Sequence, residues 1–286
     1  MGKIASAVLG ALALSAIGGC DPGPAEADSS TEQIVANLLE AGHRPADIEI
    51  TPEGEVLVQG DIRMSLEASA GPRGTSFRQF VTNVTVADSI DEIVIWVGPR
   101  LRSGSFLTAA DEALKQWNGI EGSRLRFSLS TDCLPPASRT DRGVIEVTAM
   151  DSSSTCDAAT PGDINRDVNG VADFPSSDGR PGATIEINPC LLAKSLRNQT
   201  STLMHEIGHT VGFRHTDYAT HSSCGGSRTD EGVPPYGAVQ VPGTPDAAQG
   251  DPDSIMNACA PAEQSGTWSD ADRHAIGIVY FRPSEG

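Results

Sequence analysis

Four side chains within eleven positions can share one piece of chemistry: His205, Glu206, His209 and His215, in the run Thr202-Leu203-Met204-His205-Glu206-Ile207-Gly208-His209-Thr210-Val211-Gly212-Phe213-Arg214-His215. On a helix turning about 100° per residue, His205 and His209 lie about 40° apart and one turn along, so both imidazoles reach one cation. Neutral imidazole nitrogens at about 2.0–2.1 Å suit Zn²⁺, and three such ligands leave a position open for water. Glu206 lies beside that position and is the candidate general base, because the metal acidifies the water whose proton it takes.

A third histidine six residues after His209 faces away if the helix simply continues, at about 240° from it. Gly212 removes the difficulty. Glycine adopts the left-handed conformation without steric cost, ends the helix and turns the chain, which returns His215 to the metal.

These residues also carry a family resemblance. HEIGHTVGFRH resembles HExxHxxGxxH, the extended signature of metzincin metallopeptidases. The resemblance implies one zinc per chain on His205, His209 and His215, with Glu206 as the catalytic base and a methionine turn beneath the metal. Ser254-Ile255-Met256-Asn257, with Met256 41 residues after His215, is similar to that turn, and Met256 would form an apolar floor under the histidines. Two metzincin families place a tyrosine ligand two residues after this methionine; Ala258 stands there, so no tyrosinate ligand is expected. More narrowly, the HEIGH core, the SIMN turn before Cys259, FPSSDGRPGATIEIN and SDADRHAIGIVY are similar to bacterial HEIGH-type, protease B-like metallopeptidases. That likeness runs over residues 76–282 and more weakly from residue 31. It implies an α+β (mixed α/β) fold: a twisted mixed sheet of about five strands with an active-site helix, a backing helix and a C-terminal helix. It also implies an edge strand near Val171 to Phe174 that pairs with extended substrate through main-chain groups.

The elements needed to hold such a site can be read from periodicity. IVIWV (93–97) reads as a strand, and SFLTAADEALKQWNGI (105–120) as a helix with Phe106, Ala110, Ala113, Leu114 and Trp117 on one side. RLRFSLS and GVIEVTAM read as strands, a short segment at 172–174 closed by Pro175 as an edge strand, and ATIEINP (183–189) as a further strand before a long helix from about Ser195. The order β-α-β-β-β-β-α predicts a sheet with helices packed against it. Residues 216–254, rich in Gly, Pro, Ser, Thr and Asp, read as irregular, and Ser269 is placed to cap a closing helix.

Upstream, TEQIVANLLEAG predicts an amphipathic helix, and IEITPEGEVLVQGDI a hairpin turning at Pro52-Glu53-Gly54. Residues 31–75 thus form a small αββ leader or propeptide-like segment ahead of a catalytic domain at 76–286, with a linker at 69–73. Val58-Gln59-Gly60-Asp61 resembles the FxGD stretch whose aspartate blocks zinc in some metzincin propeptides, with Val replacing Phe. Asp61 is therefore a candidate inhibitory ligand.

The N-terminus reads as an address. Lys3 precedes a 14-residue apolar run, Ile4 to Ile17, which as a helix is too short for a hydrocarbon core about 30 Å thick. Residues 1–19 are a signal peptide and 20–30 a flexible tether. Ile17-Gly18-Gly19-Cys20 resembles the bacterial lipobox, making Cys20 a lipidation candidate; cleavage after Ala25-Glu26-Ala27 is the alternative. Either route exports the protein, as a cell-envelope lipoprotein or a secreted protein, with no membrane contact other than a lipid anchor. In such a compartment disulfides persist, and Cys224 with Cys259 is the favoured pair across a Gly/Pro-rich stretch. Cys133, Cys156 and Cys190 then hold a second pair and a free thiol.

The 38 acidic and 20 basic residues, net charge −18, argue against a nucleic-acid partner. A protein or peptide substrate and a monomer are expected. Asp163, Asn165, Asp167, Asn169 and Asp173 alternate as calcium ligands do, yet Ser176 stands where a bidentate Glu is needed; a polar loop is the favoured reading and Ca²⁺ the alternative. His43, His221 and His274 are expected to be surface or capped histidines. The expected activity is zinc-dependent hydrolysis of internal peptide bonds, against a non-catalytic zinc module or a zinc amidase acting on cell-wall bonds.

Overall fold

The computed structural model describes residues 29–40, 45, 48–58, 60–64, 66, 80–137, 141–151, 168–218, 221–225, 239–241, 251–261 and 264–282. Ten strands and four α-helices lie within them. In chain order they are α1 (Ser29–Glu40), β1 (Ile48–Ile50), β2 (Val56–Val58), β3 (Ile62–Met64), β4 (Phe80–Val81), β5 (Glu92–Val97), α2 (Phe106–Asn118), β6 (Arg126–Ser130), β7 (Arg142–Ala149), β8 (Gly170–Asp173), β9 (Thr184–Ile187), α3 (Leu196–Thr210), β10 (Val239–Gln240) and α4 (Asp270–Val279).

Eight strands form one mixed sheet in the order β1-β2-β3-β8-β9-β7-β5-β6. Strands β9, β7, β5 and β6 run parallel to one another, and β8 is antiparallel to β9. β7 shows why the sheet has an inside: Ile145 and Val147 are fully buried while Glu146 and Thr148 are only partly so, the period-2 alternation of a half-buried strand. The buried face, with Ile93, Ile95, Ile185 and Ile187, packs against α2, whose Phe106, Ala110, Ala113, Leu114 and Trp117 are buried as their spacing predicts. α3 adds Leu203, Met204 and Ile207 to the same core. Trp117 meets Trp268 edge-on at 4.8 Å between centroids, which seats the start of α4 against α2.

The expected strands of the catalytic part are all present, but the leader departs from expectation. It has a third strand, β3, and its three strands extend the sheet. β3 lies parallel to β8, with Ile62 opposite Ala172 and Arg63 opposite Asp173. The segment read as an open edge is thus covered by β3 of the same chain. A second apolar cluster holds it there: Ile34 and Leu38 of α1, Val56 and Val58, Ile62 and Met64 close on Phe174, just after β8.

Among the described residues no helix is long and apolar enough to cross a membrane. The signal, residues 20–28 of the tether with Cys20, Cys156, His43 and the linker at 69–73 lie outside the described residues, as do Asp163, Asn165 and Asp167, while Ser29 and Ser30, read as tether, begin α1. The calcium reading is not supported by the remaining two. Asn169 Oδ1 accepts from Lys194 Nζ, and Asp173 is engaged by Thr184 and Arg63. His221 also corrects an expectation: it is buried rather than at the surface, with a left-handed φ of 43°.

Candidate metal centre and active site

α3 starts where Ser195 accepts from the Asn198 amide, an N-cap that satisfies a donor the helix cannot. It ends in a Schellman turn: Gly212 N donates to His209 O (2.9 Å) and Phe213 N to Gly208 O (2.8 Å), with Gly212 at φ 100°. A Cβ at residue 212 would lie 3.0 Å from Thr82 Oγ1 and 3.2 Å from Val84 O, so both conformation and space require glycine there. The reversed chain is then zippered to the strand before it. Thr82 N donates to Gly212 O and Arg214 N to Phe80 O, both at 2.7 Å, and Val81 bridges Phe213.

That reversal brings three imidazoles together. His209 Nε2 lies 3.0 Å and His215 Nε2 3.3 Å from His205 Nε2. His205 Nδ1 is 2.7 Å from Ile255 O and His209 Nδ1 is 2.8 Å from Phe213 O. A carbonyl only accepts, so these contacts place the proton on Nδ1 and turn both Nε2 lone pairs inward. Burial holds His209 well below its usual pKa, at about 4, so its ring stays neutral, the form in which an imidazole can bind a metal.

The loop below completes the frame. Met256 Sδ would lie 2.5 Å from a Cβ at Gly208, so the methionine seats directly under the helix between the first two histidines, and the glycine of HEIGH admits it. Ser254 Oγ donates to Asp272 Oδ1 (2.7 Å) and Ile255 N to Asp272 Oδ2 (2.9 Å), linking the turn to α4. Asp272 also caps α4 with Ser269. Asp217 accepts from Ala258 N and from Ser223, and the Cys224–Cys259 disulfide closes the same loop. Cys190 is disulfide-bonded too, and Cys133 is free and exposed.

Glu206 is buried beside the histidines, and its Oε2 has no hydrogen-bond partner among the described residues. Burial pushes its carboxyl well above the usual range, and the nearby Asp61 carboxylate pushes the same way. A Cβ at Gly170 would come 2.7 Å from Glu206 Oε1, so β8 passes this carboxylate with no room for a side chain. Together Gly170, Thr202, His205, Glu206 and Gln264 help line a cleft of about 140 Å³.

The fourth member of the cluster comes from the turn just before β3. Asp61 Oδ2 lies 2.9 Å from His215 Nε2, 3.6 Å from His205 Nε2 and 3.9 Å from His209 Nε2. One atom from each of these four residues falls within 4.8 Å of the others, a donor set that fits a tetrahedral cation. Burial opposes ionisation of Asp61, but the His215 ring at 2.9 Å and the two further imidazoles beside it outweigh that and hold the carboxyl well below its ordinary range.

The structure therefore gathers His205, Glu206, His209 and His215, with Gly212 at the reversal and Met256 beneath, and brings beside them Asp61, which the sequence offered as an inhibitory ligand. Sequence reasoning missed Ile255 and Phe213, which orient the rings through main-chain carbonyls that no side-chain signal reveals. It also missed Asp272, legible only as a helix-cap residue.

The profile of the dual-action HEIGH metallo-peptidase family matches residues 56–280. The chain belongs to this family. This HEIGH metallopeptidase is also similar to three solved structures. One is high choriolytic enzyme 1, a hatching-enzyme zinc protease of the medaka fish Oryzias latipes, at 15% identity and TM-score 0.38, covering 73% of this chain and 98% of that one. Two are of myroilysin, at 14% identity, TM-score 0.39 and coverages of 71% and 98%, and at 12% identity, TM-score 0.37 and coverages of 84% and 100%. No curated protein sequence gives a significant match. Membership of the family rests on the profile match.

Proposed function

We propose that this metallopeptidase is a zinc endopeptidase in which His205, His209 and His215 hold the metal and Glu206 is the general base. The observation that carries the reading is the convergence of three ring nitrogens, two of them turned inward by carbonyls at Nδ1. When bound, zinc supplies a Lewis acid that polarises the scissile carbonyl and acidifies water. Glu206 accepts the proton of the attacking water and delivers it to the departing amine; a carboxylate whose burial raises its proton affinity is suited to both steps. Gly170 leaves it room to swing between them. Nδ1 contacts keep the rings from rotating, and Met256 supports them without competing strongly as a ligand.

The same reading makes residues 31–75 an inhibitory leader. Asp61 occupies the side of the histidines that substrate and water need, and β3 covers β8. Export suits the apolar run at 4–17 and the disulfides. Casein or an internally quenched peptide tests the reading: cleavage should stop with a chelator, return with Zn²⁺, and vanish in Glu206→Gln. The full chain should be weakly active and Asp61→Ala more active. Polypeptides left intact while peptidoglycan fragments are cut would replace the endopeptidase with an amidase.

A further inference from the structure

Arg63, two residues after Asp61, reaches across β8 on the sheet face opposite the helices. Its Nη2 lies 2.5 Å from Glu186 Oε2 on β9 and its Nη1 3.5 Å from Asp173 Oδ1 on β8. Glu55, the remaining partner at 3.2 Å, belongs to the leader. The main chain that carries this guanidinium runs in the strand lane beside the histidines, where Ala172 N donates to Asp61 O at 2.9 Å. An extended peptide replacing β3 along β8, in either direction, presents alternate side chains to the same face.

We propose that Asp173 and Glu186 form a subsite for a basic side chain of the substrate, arginine above lysine, two or three residues from the scissile bond, and that the leader fills it with Arg63. The proposal rests on the endopeptidase reading. Asp173 is fixed for the role, because its Oδ2 accepts from Thr184 N at 3.0 Å and from the Thr184 hydroxyl, leaving Oδ1 toward the lane. Two carboxylates on adjacent strands suit a planar, forked guanidinium better than a point charge. Departure of the leader removes both Arg63 and Glu55 and leaves this pair facing the peptide lane.

The test is a set of quenched peptides identical except for Arg, Lys, Gln or Glu at the second and third positions on either side of the cut. They are assayed with the full chain and with its Asp61→Ala form. At one of these positions Arg should exceed Gln in kcat/KM by roughly tenfold, with Lys between and Glu poorest. Glu186→Arg should reverse the order, favouring Glu; a merely structural role for Glu186 would change all peptides alike. Equal cleavage of the Arg and Gln peptides, or an Arg preference that survives Glu186→Arg, overturns the subsite while leaving the endopeptidase standing. Cleavage of none of them by metal-loaded protein sinks the endopeptidase reading and the subsite with it.

Discussion

Glu206 is a buried carboxyl whose Oε2 has no hydrogen-bond partner among the described residues, bordered by a strand whose glycine leaves it space. Its removal as Glu206→Gln should cut kcat by about 10²–10⁴-fold and leave metal content, read by plasma mass spectrometry, at one per chain. Gly170→Ala asks the narrower question. The added methyl would sit 2.7 Å from Glu206 Oε1, so kcat should fall while metal content stays unchanged; full activity would show that the carboxylate works from elsewhere. His209 supplies the pH dependence. Its pKa is about 4 in the folded chain against an ordinary 6.5, so the folded state resists protonation more than the unfolded chain does. That difference contributes stability fully present above about pH 6.5 and lost as the pH falls towards about 4. Thermal unfolding in chelator should reveal a drop in Tm across this window, smaller in His209→Gln.

The elements around the helix determine where those side chains stand. Gly212 reverses the chain at φ 100° with Thr82 and Val84 close by, so Gly212→Ala should cost about 1–3 kcal/mol and weaken metal binding by displacing His215. A denaturation midpoint equal to that of the parent would refute the strain. Asp272 acts at longer range. It grips Ser254 and the Ile255 amide, and Ile255 O orients His205, so α4 is tied to the metal centre through one loop. Asp272→Ala should weaken zinc affinity by roughly 10–100-fold, measured by competition with a chelating dye. The cap at Ser269, the start of α3 near Ser195, the buried stripe of α2 and the glycine-ended α3 were all legible, because local spacing encodes each. β3 was not: Ile62-Arg63-Met64 is too short for alternation to register.

At the scale of the molecule, the leader is held by a small core of its own that closes on Phe174. Leu38 is fully buried there, and Leu38→Ala should destabilise that packing by about 2–5 kcal/mol. The full-length chain should then gain activity, and the amide of Ala172, which donates to Asp61 O, should exchange faster in deuterium oxide while α3 amides stay protected. Unaltered exchange at Ala172 would mean that the apolar cluster does not secure the leader.

The sequence alone determined the histidine set, its carboxylate and the turn that joins them, because all lie on one helix and the first residues after it, where helical geometry and one glycine decide who meets whom. Only the tertiary structure decided that Asp61 enters this cluster, 154 residues before His215, and that β3 lies parallel against β8. Contacts so distant along the chain leave no periodicity to read. They follow from how two apolar clusters fit together across a shared sheet, which is a property of packing and not of any segment.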